Sequence, residues 1–220
     1  MRRRGVYSMI RSALIICFGD SLTAGFQSPT VANPTGQETP YGQYLQDLLG
    51  GSAQVRTSGV CGELTGEMVL RFYRDVLDHK PGYVSILGGA NDLGWNGAPE
   101  DVMRNLVKLY EQTFVGGGIP IPVTVPSLRI ENGQESREER EWVAGHVTQR
   151  GRLNQLIREY AEAKHLTYID LFRATVDADT NQLAARYSND GLHLTTAGYR
   201  LFAEEAAMVL APLLSHGGRS

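Results

Sequence analysis

The sequence predicts an α/β domain with a central, mostly parallel five-stranded sheet and helices packed on both faces. Three observations point there. Short apolar runs alternate with segments of helical periodicity, a β-α unit repeated five times, which is the pattern of parallel strands joined by helical crossovers. The runs are continuously apolar rather than alternating, as in strands covered on both faces. The chain has 220 residues, the length of one domain able to bury about 70% of the surface it exposes unfolded. No internal repeat or linker divides it, so residues 1–220 read as one domain.

The first strand is Ala13-Leu14-Ile15-Ile16-Cys17-Phe18. Residues 1–12 ahead of it read as an N-terminal extension, with Met9 an alternative start. Arg2, Arg3 and Arg4 faintly resemble a signal-peptide start, but Arg11 interrupts the apolar stretch and no small-residue cleavage site follows before Gly19-Asp20-Ser21. Residues 40–49 carry Tyr41, Tyr44, Leu45 and Leu48 at helical spacing, with Gly50-Gly51 as a stop. Residues 53–57 form a short strand. Thr65 is placed to cap a helix running to about His79, which Pro81-Gly82 breaks. Residues 83–87 are the third strand. Pro99 opens a helix with Val102, Leu106, Leu109 and Tyr110 as its stripe.

Residues 119–125 look like a strand but contain Pro120 and Pro122, which disfavour a central position. Residues 126–140 are polar and read as a loop insertion. A long helix follows around Leu153, Leu156, Ile157 and Tyr160, then a last strand at 166–169, then a helix capped by Thr195 or Thr196.

Composition excludes several classes. Hydrophobic residues are 42% and charged residues 20%, ordinary for a soluble globular protein. Lys+Arg is 21 against Asp+Glu 24, a net charge of −3, which argues against a nucleic-acid partner held by phosphate neutralisation. No segment reaches the ~18 apolar residues of a membrane span. Together with the missing leader this predicts a cytoplasmic protein. Cys17 and Cys61 lie in no CxxC and read as two buried thiols in a reducing compartment. No clustered ligands suggest a metal, and no cofactor is expected. Glycine is the outlier, 25 residues against a usual ~7%. Many of these glycines fall in the four segments that carry chemistry.

Gly19-Asp20-Ser21-Leu22 follows the first strand, where a serine between glycines is well placed as an exposed nucleophile. Taken alone, the segment favours the plainer reading of Ser21 as a helix cap. Asp190-Gly191-Leu192-His193 precedes the last helix. A serine nucleophile needs a base, and a base needs a carboxylate to fix its tautomer. His193 and Asp190 have the types and spacing for this, although Asp190 also suits a turn. Gly89-Ala90-Asn91-Asp92 ends the third strand, and Asn91 offers an amide donor for a developing oxyanion. Gly59-Val60-Cys61-Gly62 follows the second strand and offers a backbone N–H; turn chemistry explains both segments as well. His79, His146 and His165 read as surface or helix-end residues.

Together, in this order, the four segments resemble the motifs of the GDSL-type, or SGNH, serine esterases and lipases, across residues 13 to about 210. The resemblance implies a flavodoxin-like three-layer α/β/α sandwich. It implies Ser21 as nucleophile, His193 as base and Asp190 as its orienting partner, with the Ser21 N–H, the Gly62 N–H and the Asn91 side chain as oxyanion donors. One departure is Thr57-Ser58-Gly59, where the family often carries an Asn. The implied substrate is a small-molecule ester, with Phe26, Leu64, Trp95 and Leu192 as acyl-pocket candidates that core packing explains equally well. Soluble short-chain or acetyl esters fit the composition better than a lipid surface. Activity is expected to fall at acid pH as the base protonates. The competing readings are an acyltransferase with the same triad, a lysophospholipase or thioesterase, and a non-catalytic ligand-binding domain.

Overall fold

The computed structural model describes residues 13–130 and 136–216. The 1–12 extension and the middle of the expected 126–140 insertion lie outside the described residues. Strand β1 (Ala13–Gly19) lies between β4 (Ala53–Gly59) and β5 (Tyr83–Leu87), and β6 (Ile119–Pro122) pairs with β5. All three pairings are parallel, and the order is β4-β1-β5-β6. A two-residue antiparallel ribbon, β2 (Phe26–Gln27) with β3 (Gln37–Glu38), stands apart from this sheet.

Period-two alternation assigns the residues of β1 to two cores. Phe18 meets Phe72 of helix α3 (Thr65–Asp75) edge-on, with centroids 5.1 Å apart. Cys17 points the other way, toward Tyr41 of helix α2 (Tyr41–Leu49), whose hydroxyl bonds Ser85 Oγ at 2.7 Å on the neighbouring strand. Tyr41 also stacks on Phe202 of the last helix, centroids 3.6 Å apart. Burial pushes the Cys17 thiol up to about 12. Cys61, expected to be buried, is exposed; both thiols are free.

The fifth strand is the main departure from expectation. Residues 166–169 contribute one parallel bridge, Val123 to Ile169, rather than a strand. The prolines explain this. Ile119 and Val123 donate toward β5, to Gly82 and Ile86 oxygens, so the N–H groups of residues 120, 122 and 124 point the other way. Thr124 does donate outward, to Ile169. Pro120 and Pro122 have no N–H to give, so pairing on that side is limited to the Pro122 carbonyl, which accepts the Ile169 N–H at 2.9 Å, and the Thr124 N–H. At the opposite margin Gln46 of α2 takes the place of a neighbouring strand. Its amide accepts from Val55 N–H at 2.8 Å and donates to the Ala53 carbonyl at 3.1 Å.

Helix α5 (Pro99–Val115) begins at the proline. Helix α6 (Arg137–Ala163) starts inside the segment read as loop, capped reciprocally by Ser136 and Glu139. Thr65 opens α3 without capping it; the Leu64 N–H is taken by Glu67 at 2.9 Å instead. Short helices α1 (Ser21–Ala24), α4 (Ala90–Gly94) and α7 (Leu171–Thr175) line the upper edge of the sheet, and α8 (Thr196–His216) closes the chain. No helix among the described residues is long and apolar enough to cross a membrane.

Candidate active site

The four motif segments meet beyond the carboxyl ends of the parallel strands, where open α/β sheets place their ligands. β1 stops at Gly19. A Cβ there would sit 2.3 Å from the Leu87 carbonyl oxygen, so only glycine lets the chain turn off the sheet at this point. Asp20 caps α1 by accepting the Leu22 N–H at 2.9 Å, and Ser21 is the first helical residue. The side chain that caps is thus Asp20, which leaves the Ser21 hydroxyl for other partners.

That partner is His193, whose Nε2 lies 3.2 Å from Ser21 Oγ. Nδ1 of the same ring lies 2.7 Å from Asp190 Oδ2. Asp190 is held in turn. Its Oδ1 accepts the Leu192 and His193 N–H groups at 2.8 and 2.7 Å, and Ser28 Oγ donates to Oδ2. Burial alone would raise the Asp190 carboxyl, but the bonds from His193, Ser28 and the two amides outweigh it and hold the group well below the usual carboxylate range. The carboxylate is therefore a fixed negative charge beside Nδ1, with Nε2 on the far side of the ring facing Ser21 Oγ.

Asn91 Nδ2 donates to the Glu63 carbonyl at 2.9 Å, which ties the loop after β5 to the Gly62 loop and leaves the second amide proton unused. Gly62 has φ +78° and would meet nothing within 4 Å if given a Cβ, so its conformation rather than crowding requires glycine. Among the described residues the Ser21 and Gly62 amides donate to no backbone carbonyl. Asp92 accepts both the N–H and the hydroxyl of Thr65, at 3.0 and 2.6 Å, and so locks α3 to α4.

The end of β4 at Thr57-Ser58-Gly59 and the loop after it are braced by Arg71. Its guanidinium donates to Glu63 (2.6 Å), Ser58 Oγ (2.7 Å) and the Gly19 carbonyl (2.9 Å), and lies 4.1 Å above the Phe18 ring centroid. Arg71 and Glu63 are 9% and 7% exposed, so the pair is buried and bidentate.

Of the pocket candidates, Trp95 and Leu192 border one cavity of ≈ 380 Å³ together with Asn91, Asp190, Trp142 and Arg150. Phe26 and Leu64 do not border it. Phe26 packs edge-on against the His193 ring with centroids 4.7 Å apart, and Leu64 is the N-cap residue of α3. His146, read as a surface or helix-end residue, is buried. It stacks on Trp142 at 3.8 Å and bonds the Trp142 carbonyl through Nδ1. Arg150, also buried, donates to the Pro126 carbonyl at 2.6 Å. Burial lowers the Arg150 guanidinium to about 10, and burial raises the Asp20 carboxyl to about 6 against the pull of its Leu22 bond and the Arg150 charge. Among the described residues no group of three or more His, Cys, Asp or Glu side chains stands close enough to hold a metal ion.

The described residues thus form a parallel α/β sheet with a hydroxyl, an imidazole and a carboxylate in one hydrogen-bonded chain at its strand ends, which defines the class as α/β proteins with helices flanking a parallel sheet. Within it, the chain belongs to the GDSL-like Lipase/Acylhydrolase family, whose pattern matches residues 17–201. Its fold is similar to the lipase/acylhydrolase of Enterococcus faecalis (25% identity, TM-score 0.71, covering 91% of this chain and 96% of that one). It is similar also to a carbohydrate acetylesterase of Sinorhizobium meliloti (19% identity, TM-score 0.70, covering 91% and 99%). In sequence it resembles the uncharacterized lipoprotein YqeF of Bacillus subtilis, 26% identical over 211 residues, covering 86% of each chain. That relative is named a lipoprotein, which overturns the cytoplasmic location expected from the sequence.

Proposed function

We propose that the protein hydrolyses carboxylic esters through an acyl-enzyme on Ser21. The observation that carries this reading is the unbroken chain from Ser21 Oγ through His193 to Asp190, at 3.2 and 2.7 Å. His193 Nε2 takes the Ser21 proton as Oγ attacks the ester carbonyl. The oxyanion is met by the Ser21 and Gly62 amides and the free Asn91 amide proton. His193 then gives its proton to the leaving alcohol. In the second half-reaction it takes a proton from a water whose oxygen attacks the acyl carbonyl, and gives that proton to Ser21 Oγ as the C–Oγ bond breaks and the acid leaves.

The substrate is a short-chain ester such as an acetyl ester. The cavity beside Asn91, ≈ 380 Å³ and bordered by Trp95 and Leu192, supports a small ligand, and the similarity to a carbohydrate acetylesterase points the same way. A p-nitrophenyl ester series from acetate to decanoate, run beside Ser21→Ala, tests both parts. Turnover should fall with acyl length, and Ser21→Ala should lose about 10⁴-fold or more. Equal rates for Ser21→Ala and the native chain would remove the enzymatic reading, and a maximum at decanoate would remove the short-chain one.

A further inference from the structure

Strand β2 and the residue after it run past the relay with their side chains sorted by the period of an extended chain. Phe26 sets the edge of its ring against His193, 4.7 Å between centroids. Two residues on, Ser28 Oγ donates to Asp190 Oδ2, the same oxygen that receives His193 Nδ1–H. Gln27, between them, turns the other way and anchors the segment. It donates to Thr39 Oγ1 at 2.6 Å and Thr196 Oγ1 at 3.0 Å, and accepts the Thr196 N–H at 3.1 Å. The Tyr199 hydroxyl adds a bond to the Phe26 carbonyl at 2.7 Å. The segment is thus tied to the start of α8, the helix that follows His193.

We propose that Ser28 is a positioning residue of the relay, fixing the Asp190 carboxylate by sharing the oxygen that faces His193, with Phe26 holding the ring from the side. This rests on the serine-hydrolase reading above. The hydroxyl does two things. It fixes the second carboxylate oxygen, Oδ1 being held already by the Leu192 and His193 amides and by Ser188 Oγ at 3.3 Å, and so keeps Oδ2 aimed at Nδ1. It also takes up part of the negative charge on Oδ2, so the imidazolium formed during attack is stabilised less and returns its proton to the leaving group more readily. The other ionisable groups coupled to the relay are Asp20 at the end of β1 and Tyr199 of α8, with Arg150 of α6 acting on Asp20. A change at Ser28 leaves all of them in place.

The test compares the native chain, Ser28→Ala and Ser28→Thr. NMR titration of the His193 ring needs no substrate, so it remains readable even if the ester-hydrolysis reading fails. In Ser28→Ala the His193 midpoint should move up by about half a pH unit, and in Ser28→Thr, which keeps the hydroxyl, it should return to the native value. If esters are turned over, the acid limb of kcat/KM moves with it, and kcat falls about tenfold at unchanged KM. A Ser28→Ala midpoint equal to the native one, or lower, overturns the proposal. So does a Ser28→Thr variant that folds, by its unfolding transition, yet titrates like Ser28→Ala.

Discussion

Arg71 Nη2 donates to the Gly19 carbonyl at 2.9 Å, so a side chain of helix α3 grips the end of the central strand two residues before Ser21. The same guanidinium holds Glu63, whose carbonyl in turn accepts from Asn91. One buried cation therefore connects the strand that leads to Ser21, the Gly62 loop and the Asn91 loop. Arg71→Met leaves Glu63 buried without its counter-charge and should cost about 3–5 kcal/mol in urea unfolding. Adding Glu63→Met should restore most of that stability, because removing both charges costs little. Ester turnover should stay low in the double variant, since the grip on Gly19 and Ser58 is still missing. Recovered turnover would separate Arg71 from the catalytic geometry.

Asn91→Ala removes one proposed oxyanion donor and the tie to the Glu63 carbonyl. Steady-state kinetics should show kcat down by ~10²–10³, with KM much less affected. An effect confined to KM would place Asn91 in ground-state binding.

Gly62 and Gly191 both have positive φ, 78° and 76°, but their surroundings differ. A Cβ on Gly62 meets nothing, whereas one on Gly191 lies 2.0 Å from the Arg129 carbonyl oxygen. Gly62→Ala should cost only the left-handed strain, about 1–2 kcal/mol, and lose more in kcat than in stability. Gly191→Ala adds a clash with backbone and should lower the melting temperature further. Equal destabilisation in the two variants would contradict this reading of the loops.

The Asp20 carboxyl is raised to about 6 from an ordinary 3.8. The folded state binds this proton more tightly than the unfolded one. Its contribution to stability is therefore complete below about pH 4 and lost as pH rises through about 6. Asp190 has the opposite sign. Its carboxyl is held below the usual range, so its contribution is present above about pH 4 and lost as the medium becomes more acid. Urea unfolding at pH 4.5, 5.5 and 6.5 should show the gap between Asp20→Asn and the native chain shifting in favour of Asp20→Asn with rising pH. A constant gap would mean Asp20 is not proton-linked to folding.

The residues gathered at the strand ends were legible because each sits beside a strand end that hydrophobic runs and glycines mark in the sequence. Ser21, His193 and Asp190 are joined by hydrogen bonds, and Asn91 is tied to the neighbouring Gly62 loop through the Glu63 carbonyl. What was not legible depends on distant partners. Ser28 and Asp190 are 162 positions apart, and nothing local to Ser28 announces a carboxylate. Arg71 reads as one more helical charge until the fold brings Gly19 to it across 52 positions. His146 sits on a polar helix, and its burial comes from Trp142 stacking over it one turn away. The prolines of β6 were read correctly as hostile to a strand. Their missing donors face only one side, so β6 forms against β5 and the weakness passes to the strand beyond.

The two margins of the sheet are closed by different chemistry with one outcome. Gln46 occupies the first free donor and acceptor along β4, and β6 presents two imino nitrogens where a neighbour would look for N–H. A foreign strand adding to either side would find no regular ladder to extend. Replacing Gln46, Pro120 and Pro122 should therefore open both margins to edge-to-edge pairing. The replacements would register in solubility and shelf life while an esterase assay on the fresh protein recorded no change.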